Sequence, residues 1–333
     1  MHGRGIFNKM QKYVERKERD CCLDYIRIIA IILVVFIHSY ENYYSINSTS
    51  GYLMGRMGTP LFIMLTGATM VRRDYSDIYI KKYLKKIIQI YLVSVLWLFV
   101  YRIGAEGVKD NLVHSLELLA SAKHLWYLNL LVIIYLSLPF LSYMNSLETR
   151  KVLLLFAGTL LLCVLQNFNS INTRNGYIYA YVYLIWGYLC YERKILVKVS
   201  SRVLFGILIF LFLISIALLK TDSVRAYYEM IGHDIWWYDS PNVMFPSLAL
   251  FPLLLKAKSK KNATIFSILS KCAFGVYIFH LFVIELLSPY IGHINEKNGT
   301  LGTMMIFILA LLCSFGLSYV VGKIPMMKKT ILQ

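Results

Sequence analysis

The chain has 333 residues, of which 58% are hydrophobic and only 16% are charged, and its formal net charge is +17. Soluble domains are roughly half apolar and a quarter charged, and a soluble fold of this length has no interior large enough for so many apolar side chains. The composition therefore excludes a soluble globular protein and predicts a polytopic protein of the cell membrane.

Ten apolar segments follow one another along the chain. A helix that crosses the hydrocarbon core needs about 20 mainly apolar residues, and barrel strands would instead alternate apolar and polar residues, so the predicted fold class is all-α. The eighth segment is the least regular, because it contains three prolines. The predicted spans are 23–44, 52–71, 87–103, 124–144, 152–168, 177–191, 203–219, 241–255, 264–288 and 301–322.

Lysine and arginine are concentrated in the N-terminal segment, in every second connection and in the C-terminal tail, which together hold 25 of the 35. Because cationic loops stay in the cytoplasm, we expect both termini to be cytoplasmic. The predicted organisation is a cytoplasmic segment over 1–22, a transmembrane domain over 23–322 and a cytoplasmic tail over 323–333. The lipid bilayer is the expected partner. No nucleic acid is expected, because the basic residues lie between apolar runs instead of on one exposed face.

Ionisable residues in the first span are the most informative, because a charge inside the bilayer costs about 3 kcal/mol or more and usually marks a functional interior. Arg27 and His38 lie 11 residues apart in LDYIRIIAIILVVFIHSYEN, about three helical turns or roughly 16 Å, and so share one face. An imidazole changes charge near neutral pH, which suits His38 to act as a general base. Glu41, one turn further on, is placed to orient its ring.

Each of these residues also has a structural interpretation, which the sequence leaves open. Arg27 has the stem length to reach the cytoplasmic headgroups with Asp24 as its partner. His38 fits equally well as a buried histidine that hydrogen-bonds a neighbouring helix, and Glu41 as a solvated residue at the helix end. The face that Arg27 and His38 share favours the functional interpretation.

Several motifs resemble the membrane-bound acyltransferase type 3 family, whose hallmark is Arg or Lys, ten residues, then His. Arg27 and His38 match that hallmark. Four further segments resemble family motifs in the same order along nearly the whole chain: Gly58 to Gly67 (GTPLFIMLTG), the basic stretch Arg72 to Lys86, His124 to Leu128 (HLWYL) and Ser270 to His280 (SKCAFGVYIFH).

The resemblance implies an acyl donor, acyl-CoA and commonly acetyl-CoA, that is reached from the cytoplasm. It also implies a hydroxyl acceptor on a cell-envelope polysaccharide, glycolipid or similar molecule. His38 would deprotonate that hydroxyl, with Arg27 and Glu41 as the other catalytic candidates. Positive side chains hold phosphates by charge-assisted hydrogen bonds, so the cofactor-binding candidates are Arg27, Arg72, Arg73, Lys82 and Lys86. The positive-inside rule alone would also place basic residues in the 72–86 loop.

The candidates for substrate binding are Trp126, Tyr127 and His280. The two aromatics lie at a predicted outer boundary, where they could stack on a sugar, although aromatic residues form a belt at any membrane interface. The same alternatives hold for the aromatic run 236–238 in the outer connection. His280, in the ninth span, is either a packed histidine or part of a polar interior.

A second class of function is a membrane transporter of a small molecule such as L-serine, or of an envelope precursor. Related membrane domains, including that of the vancomycin-resistance serine racemases, belong to the same superfamily. The sequence shows no Cys/His ligand spacing, so no metal is expected. Acceptor identity, acyl chain length and homo-oligomer formation are left open by the sequence.

Overall fold

The computed structural model of the chain describes residues 21–41, 49–73, 126–167, 177–231, 234–257, 263–297 and 299–324, with isolated positions between 75 and 95. Most residues in these ranges are helical, and the ranges contain no strand. A 3-10 turn at Ser142–Asn145 follows the fourth helix. The helices are α1 Cys21–Glu41, α2 Thr49–Arg56, α3 Gly58–Met70, α4 Trp126–Leu141, α5 Thr149–Gln166, α6 Ile178–Tyr191, α7 Ser201–Lys220, α8 Asp222–Met230, α9 Pro241–Leu255, α10 Ala263–Lys297 and α11 Gly299–Val321.

The predicted all-helical, multi-pass membrane architecture is confirmed. Within the described ranges, six helical segments are long and apolar enough to cross a bilayer, and α6 and α9 are shorter apolar helices. The third predicted span, 87–103, lies largely outside the described residues, so the count of ten spans and the orientation of the termini stay predictions. The long segments are Cys21–Tyr40, Trp126–Asn145, Thr149–Gln166, Ser201–Lys220, Ile265–Ile291 and Gly299–Val321.

The second predicted span, 52–71, is two helices instead of one. Helix α2 ends at Arg56 and α3 begins at Gly58. The physical reason is Pro60, which has no N–H to donate to the carbonyl of Arg56 and whose ring clashes with that carbonyl. The break leaves Arg56 at a helix end, where its side chain can turn toward the neighbouring elements.

Two other boundaries differ from the prediction. Helix α10 continues through Pro289 to Lys297 instead of ending at 288, and the hydroxyl of Ser288 donates to the carbonyl of Ile284 at 2.7 Å. Such side-chain bonds to carbonyls near a proline help a membrane helix to tolerate it. The connection predicted over 220–240 contains the short helix α8.

Helix α1 is the central element of the fold. It packs against α2, α3, α10 and α11. Its apolar side chains are fully buried on this inner side: Ile26, Ala30, Ile31 and Val35 each have 0% exposure. The polar residues of the first span are therefore carried by a helix that is surrounded by other helices, and not by one that faces only lipid.

Helices α3 and α6 cross at two glycines that face each other's backbone. A Cβ atom added to Gly67 would lie 1.9 Å from the carbonyl oxygen of Leu184, and one added to Gly187 would lie 2.0 Å from that of Met64. Small residues at such crossings let membrane helices approach closely and pack their backbones together. The crossing fixes α3, one wall of the site described below.

We expect Gly67→Ala or Gly187→Ala to push α3 and α6 apart and to destabilise the fold by at least about 2 kcal/mol, because the added methyl group meets backbone and not a flexible side chain. Thermal unfolding of the purified protein in detergent measures the effect. Gly158→Ala in α5 is the matched control, since a Cβ there meets nothing within 4 Å. Equal melting temperatures for Gly67→Ala and Gly158→Ala would contradict the close crossing.

Candidate functional site

Arg27 is held by a network of three side chains from two helices. Its Nη1 donates to Asp24 Oδ1 at 3.2 Å and to Ser270 Oγ at 2.7 Å. The hydroxyl of Ser270 donates in turn to Asp24 Oδ1 at 2.6 Å. Asp24 and Arg27 are one turn apart on α1, whereas Ser270 comes from α10, so the network joins the two helices.

The network determines which part of the Arg27 side chain remains accessible. The side chain of Asp24 is 5% exposed and that of Arg27 is 29% exposed, so the carboxylate is buried while part of the guanidinium remains accessible. Asp24 is indeed the partner of Arg27, as the headgroup interpretation expects. However, the additional bond to Ser270 holds the guanidinium against α10. Moving Arg27 away toward the headgroups would leave the buried carboxylate of Asp24 without its partner, which is costly.

The accessible part of Arg27 faces a cavity of about 260 Å³. The lining residues recur every three or four positions, as expected for one face of each of three helices. On α3 they extend from Phe62 to Arg73, 11 residues or about 16 Å. The cavity is lined by Arg27 of α1; Phe62, Leu65, Thr66, Thr69, Met70 and Arg73 of α3 and its end; Leu131, Tyr127 and Tyr135 of α4; and Ser270, Ala273, Phe274 and Tyr277 of α10.

The cavity contains two cationic groups and several aromatic side chains. Arg73 lies just past the end of α3, where its Nε donates to the carbonyl of Thr69 at 3.1 Å. Tyr127 and Tyr277, whose ring centroids lie 5.5 Å apart, line the part of the cavity near the first turn of α4 and further along α10. An elongated cavity with guanidinium groups and an aromatic, largely buried region suits a ligand with an anionic head and a long thin arm.

His38 lies beside His280, with 5.2 Å between the ring centroids. His280 is fully buried, and His38 is half-buried. The pair repeats the contact between Arg27 and Ser270 further along the same two helices, because the spacing is 11 residues on α1 and 10 on α10. Helices α1 and α10 therefore run parallel, with the arginine at one end of their contact and the two histidines at the other.

The hydrogen bonds of His280 assign one of its ring nitrogens as a donor. Its Nδ1 lies 2.7 Å from the carbonyl oxygen of Tyr277 and 3.1 Å from that of Val276. Carbonyl oxygens only accept, so Nδ1 carries a proton in this assignment. Tyr277 connects the two parts of the site, since it lines the cavity and its ring lies 6.0 Å from that of His280.

The other cofactor-binding candidates are placed differently. Arg73 lines the cavity. Arg72 is exposed and forms an ion pair with Glu192 at 3.1 Å, and it does not line the cavity. Lys82 and Lys86 lie outside the described residues. Glu41 is the last residue of α1, and its side chain lies outside the described part as well.

Trp126 and Tyr127 are neighbours in sequence, but their side chains belong to different surroundings. Tyr127 is buried, and it lines the Arg27 cavity and contacts Tyr277. Trp126 instead stacks on Tyr238, at 5.1 Å between centroids and 25° between ring planes. The substrate-binding candidates therefore lie in two neighbouring groups of side chains, and His280 lies beside His38.

Two features of the site were missed by the sequence analysis. Ser270 was quoted only as part of a motif, although its ten-residue spacing to His280 is close to the 11-residue spacing from Arg27 to His38 and could have paired the two helices. Tyr277 lies in the same motif, three residues before His280, but it was assigned no role in binding. Among the described residues, no three His, Cys, Asp or Glu side chains are grouped so that they could hold a metal ion.

The chain matches the profile of a family described as acyltransferase domain over residues 22–323, which is nearly its whole length. It belongs to the acyltransferase 3 family. The predicted resemblance is thus confirmed, and membership of this family supports an acyltransferase activity for this multi-pass membrane protein. Arg27, His38, the Arg27 cavity and His280 all lie within the matched range.

One relative is an Enterococcus faecalis protein named amino-acid racemase. It is 26% identical to this chain over 349 aligned positions, which cover 90% of this chain and 45% of the relative. The chain thus spans less than half the length of that relative. No solved structure is significantly similar to this acyltransferase 3 family member.

Proposed function

We propose that this protein transfers an acyl group, in the first place acetyl, from cytoplasmic acyl-CoA to a hydroxyl of a cell-envelope polysaccharide, glycolipid or related acceptor. One observation carries the proposal. The cavity that Arg27 and Arg73 line leads along α10 to Tyr277, one turn before the His38 and His280 pair. The cavity with the two arginines, which can bind an anion, and the candidate base His38 thus lie along the same face of α10.

The donor is assigned to the Arg27 cavity. Coenzyme A carries phosphates at one end and a thioester at the end of a long, thin pantetheine arm. The guanidinium groups of Arg27 and Arg73 are suited to the phosphates, because a planar fork binds two oxygens at once. With the arm extended along α10, the thioester would approach His38, since the step from Ser270 to His280 is about 15 Å along the helix axis.

His38 then acts as the general base. It takes the proton of the acceptor hydroxyl while the hydroxyl oxygen attacks the thioester carbonyl carbon. The carbon–sulfur bond breaks as the tetrahedral intermediate collapses, and the coenzyme A thiolate receives the proton from His38. His38 is neutral again after this step, and no other nucleophile is required.

The decisive experiment is to follow labelled acetyl groups. Membrane vesicles from cells with and without the protein are supplied with isotope-labelled acetyl-CoA on the cytoplasmic side, and envelope glycans are analysed by mass spectrometry. We expect labelled O-acetyl groups only where the protein is present. Glycans without any difference, together with no binding of acetyl-CoA to the purified protein, would exclude this function.

The relative named amino-acid racemase supports a second candidate, a membrane protein that handles an amino acid such as L-serine. This function requires neither acyl-CoA nor a base at His38. Uptake of labelled L-serine by proteoliposomes distinguishes the two. Uptake that is unaffected by acetyl-CoA and by His38→Ala would favour transport over acyl transfer.

A further inference from the structure

An arginine surrounded by aromatic rings lies at the end of the fold where α1 ends and where α3, α4 and α9 begin. We call it the aromatic platform. Its residues come from three separate parts of the sequence: Tyr52 and Arg56 of α2, Trp126 of α4, and Trp236, Trp237 and Tyr238 before α9. The sequence alone does not show that these three parts lie together.

The rings of the platform pack on each other across these segments. Trp126 stacks on Tyr238 and lies 5.3 Å from Trp237. Tyr52 meets Trp236 edge to face at 4.7 Å. Contacts at these separations are favourable beyond the area they bury, so the three segments are held together as one surface.

Arg56 is fixed among these rings. Its Nη1 donates to the hydroxyl of Tyr238 at 3.3 Å, and its Nη2 donates to the hydroxyl of Tyr52. The guanidinium carbon also lies 4.9 Å from the ring centroid of Tyr52 and 5.6 Å from that of Tyr238. Hydrogen bonds to the hydroxyls and cation–π contacts to the rings hold the planar group in one orientation.

The base of the platform is rigid, while its rim is accessible. Tyr238 is 4% exposed. Its backbone carbonyl accepts from the hydroxyl of Tyr183 at 2.7 Å, and its own hydroxyl accepts from Thr59 at 3.3 Å. In contrast, Tyr52, Arg56 and the three tryptophans named above are only partly buried. Rigid rings with one reachable edge or face bind a ligand at low entropic cost.

We infer that the aromatic platform binds the acceptor, and that the acceptor is a sugar bearing a carboxylate. A pyranose has an apolar face of C–H groups and a polar rim of hydroxyls. Tryptophan and tyrosine rings match this face, and their N–H and O–H groups match the rim. The charge and planar fork of Arg56 select a carboxylate among the groups that a sugar carries. This inference rests on the proposed function for its assignment of the ligand as acceptor.

The platform is continuous with the site of transfer. The rings of Trp126 and Tyr127 lie 6.0 Å apart, and Tyr127 contacts Tyr277. Tyr277 in turn neighbours His280, the residue beside His38. A sugar on the platform would therefore lie at one end of a line of aromatic side chains that leads to the candidate base.

An ordinary aromatic belt at the membrane surface would make similar use of tryptophan, and ligand binding separates the two. The probes are glucuronic acid and glucose, which differ in the carboxylate. The measurement is saturation-transfer difference NMR on the full chain in detergent. We expect transfer to the sugar protons of glucuronic acid, with an affinity about tenfold higher than that for glucose because of the charge-assisted contact.

Two variants and two matched controls test the residues. Arg56→Gln should remove the preference for glucuronic acid and leave glucose binding unchanged. Trp236→Leu should weaken the binding of both sugars. Arg225→Gln in α8 is the control for the charge, because Arg225 is exposed and pairs with Asp222. Trp186→Phe is the control for the tryptophan, because Trp186 stacks on Phe156 away from the platform.

Each outcome decides the inference. Equal binding of the two sugars by the unaltered protein would overturn the inference that the ligand bears a carboxylate. A preference for glucuronic acid that survives Arg56→Gln would overturn it as well. If a folded sample of the unaltered protein bound neither sugar, the inference that the aromatic platform binds a sugar would be overturned. Acetyl-CoA binding is measured on the same samples. Loss of sugar binding with intact acetyl-CoA binding rejects this inference alone, whereas sugar binding without any acetyl-CoA binding rejects the proposed function.

Discussion

We expect His38→Ala to reduce acyl transfer by about 10²- to 10⁴-fold, the usual contribution of a positioned general base. The effect should fall on the transfer step and leave acetyl-CoA binding unchanged, because His38 does not line the Arg27 cavity. The measurement combines O-acetylation of envelope glycans, by mass spectrometry, with acetyl-CoA affinity of the purified protein.

The matched control for this prediction is Ser39→Ala. The hydroxyl of Ser39 donates to the carbonyl of Val35 within α1 at 2.9 Å, so its removal alters no bond between helices. We expect this variant to keep most of the activity. Full acyl transfer by His38→Ala would exclude His38 as the base and return it to the role of a packed histidine.

The second large effect is expected at Arg27. Arg27→Ala should weaken acetyl-CoA binding by about 10- to 100-fold, since a hydrogen bond to a charged group contributes about 1.5–3 kcal/mol, and acyl transfer should fall with it. Arg27→Lys should recover only part of the loss, because lysine keeps the charge but not the planar fork. Acetyl-CoA affinity at two salt concentrations measures both variants.

Arg72→Ala is the matched control for Arg27. Arg72 is also a basic residue near this end of the fold, but its guanidinium is paired with Glu192 and lies outside the Arg27 cavity. A partly exposed ion pair contributes about 0–1 kcal/mol, so only a small change in acetyl-CoA affinity is expected. If Arg27→Ala left the affinity unchanged, Arg27 would serve only to anchor α1, and its bonds to Asp24 and Ser270 would be structural.

Asp24 illustrates what could be predicted and what could not. The sequence placed it one turn from Arg27 and named it as a partner, because helix geometry brings positions three apart together. The ion pair is present in the structure. The sequence did not show that Ser270 would complete the network, since that contact joins residues 243 positions apart.

The aromatic residues also show that the sequence does not determine which neighbours a side chain contacts. Trp126 and Tyr127 were given one role, because they are adjacent and lie at the same predicted boundary. Neighbouring residues on a helix point about 100° apart, and so Tyr127 entered the cavity while Trp126 joined the aromatic platform. Arg56 lies within the predicted second span, and the helix break at Pro60 determined where its side chain lies.

The sequence by itself determined the membrane class, the helical fold and the shared face of Arg27 and His38, because each follows from composition or from periodicity within one segment. It indicated the family through motifs that resemble those of the family. The tertiary structure decided which side chains from other segments meet that face: Ser270 beside Arg27, His280 beside His38, and Tyr277 between cavity and histidines. The physical reason is that the apolar composition of a span shows that the helix lies in the membrane, but not which other helices it contacts. Close packing of whole helices, as at the α3 and α6 crossing, selects the neighbours.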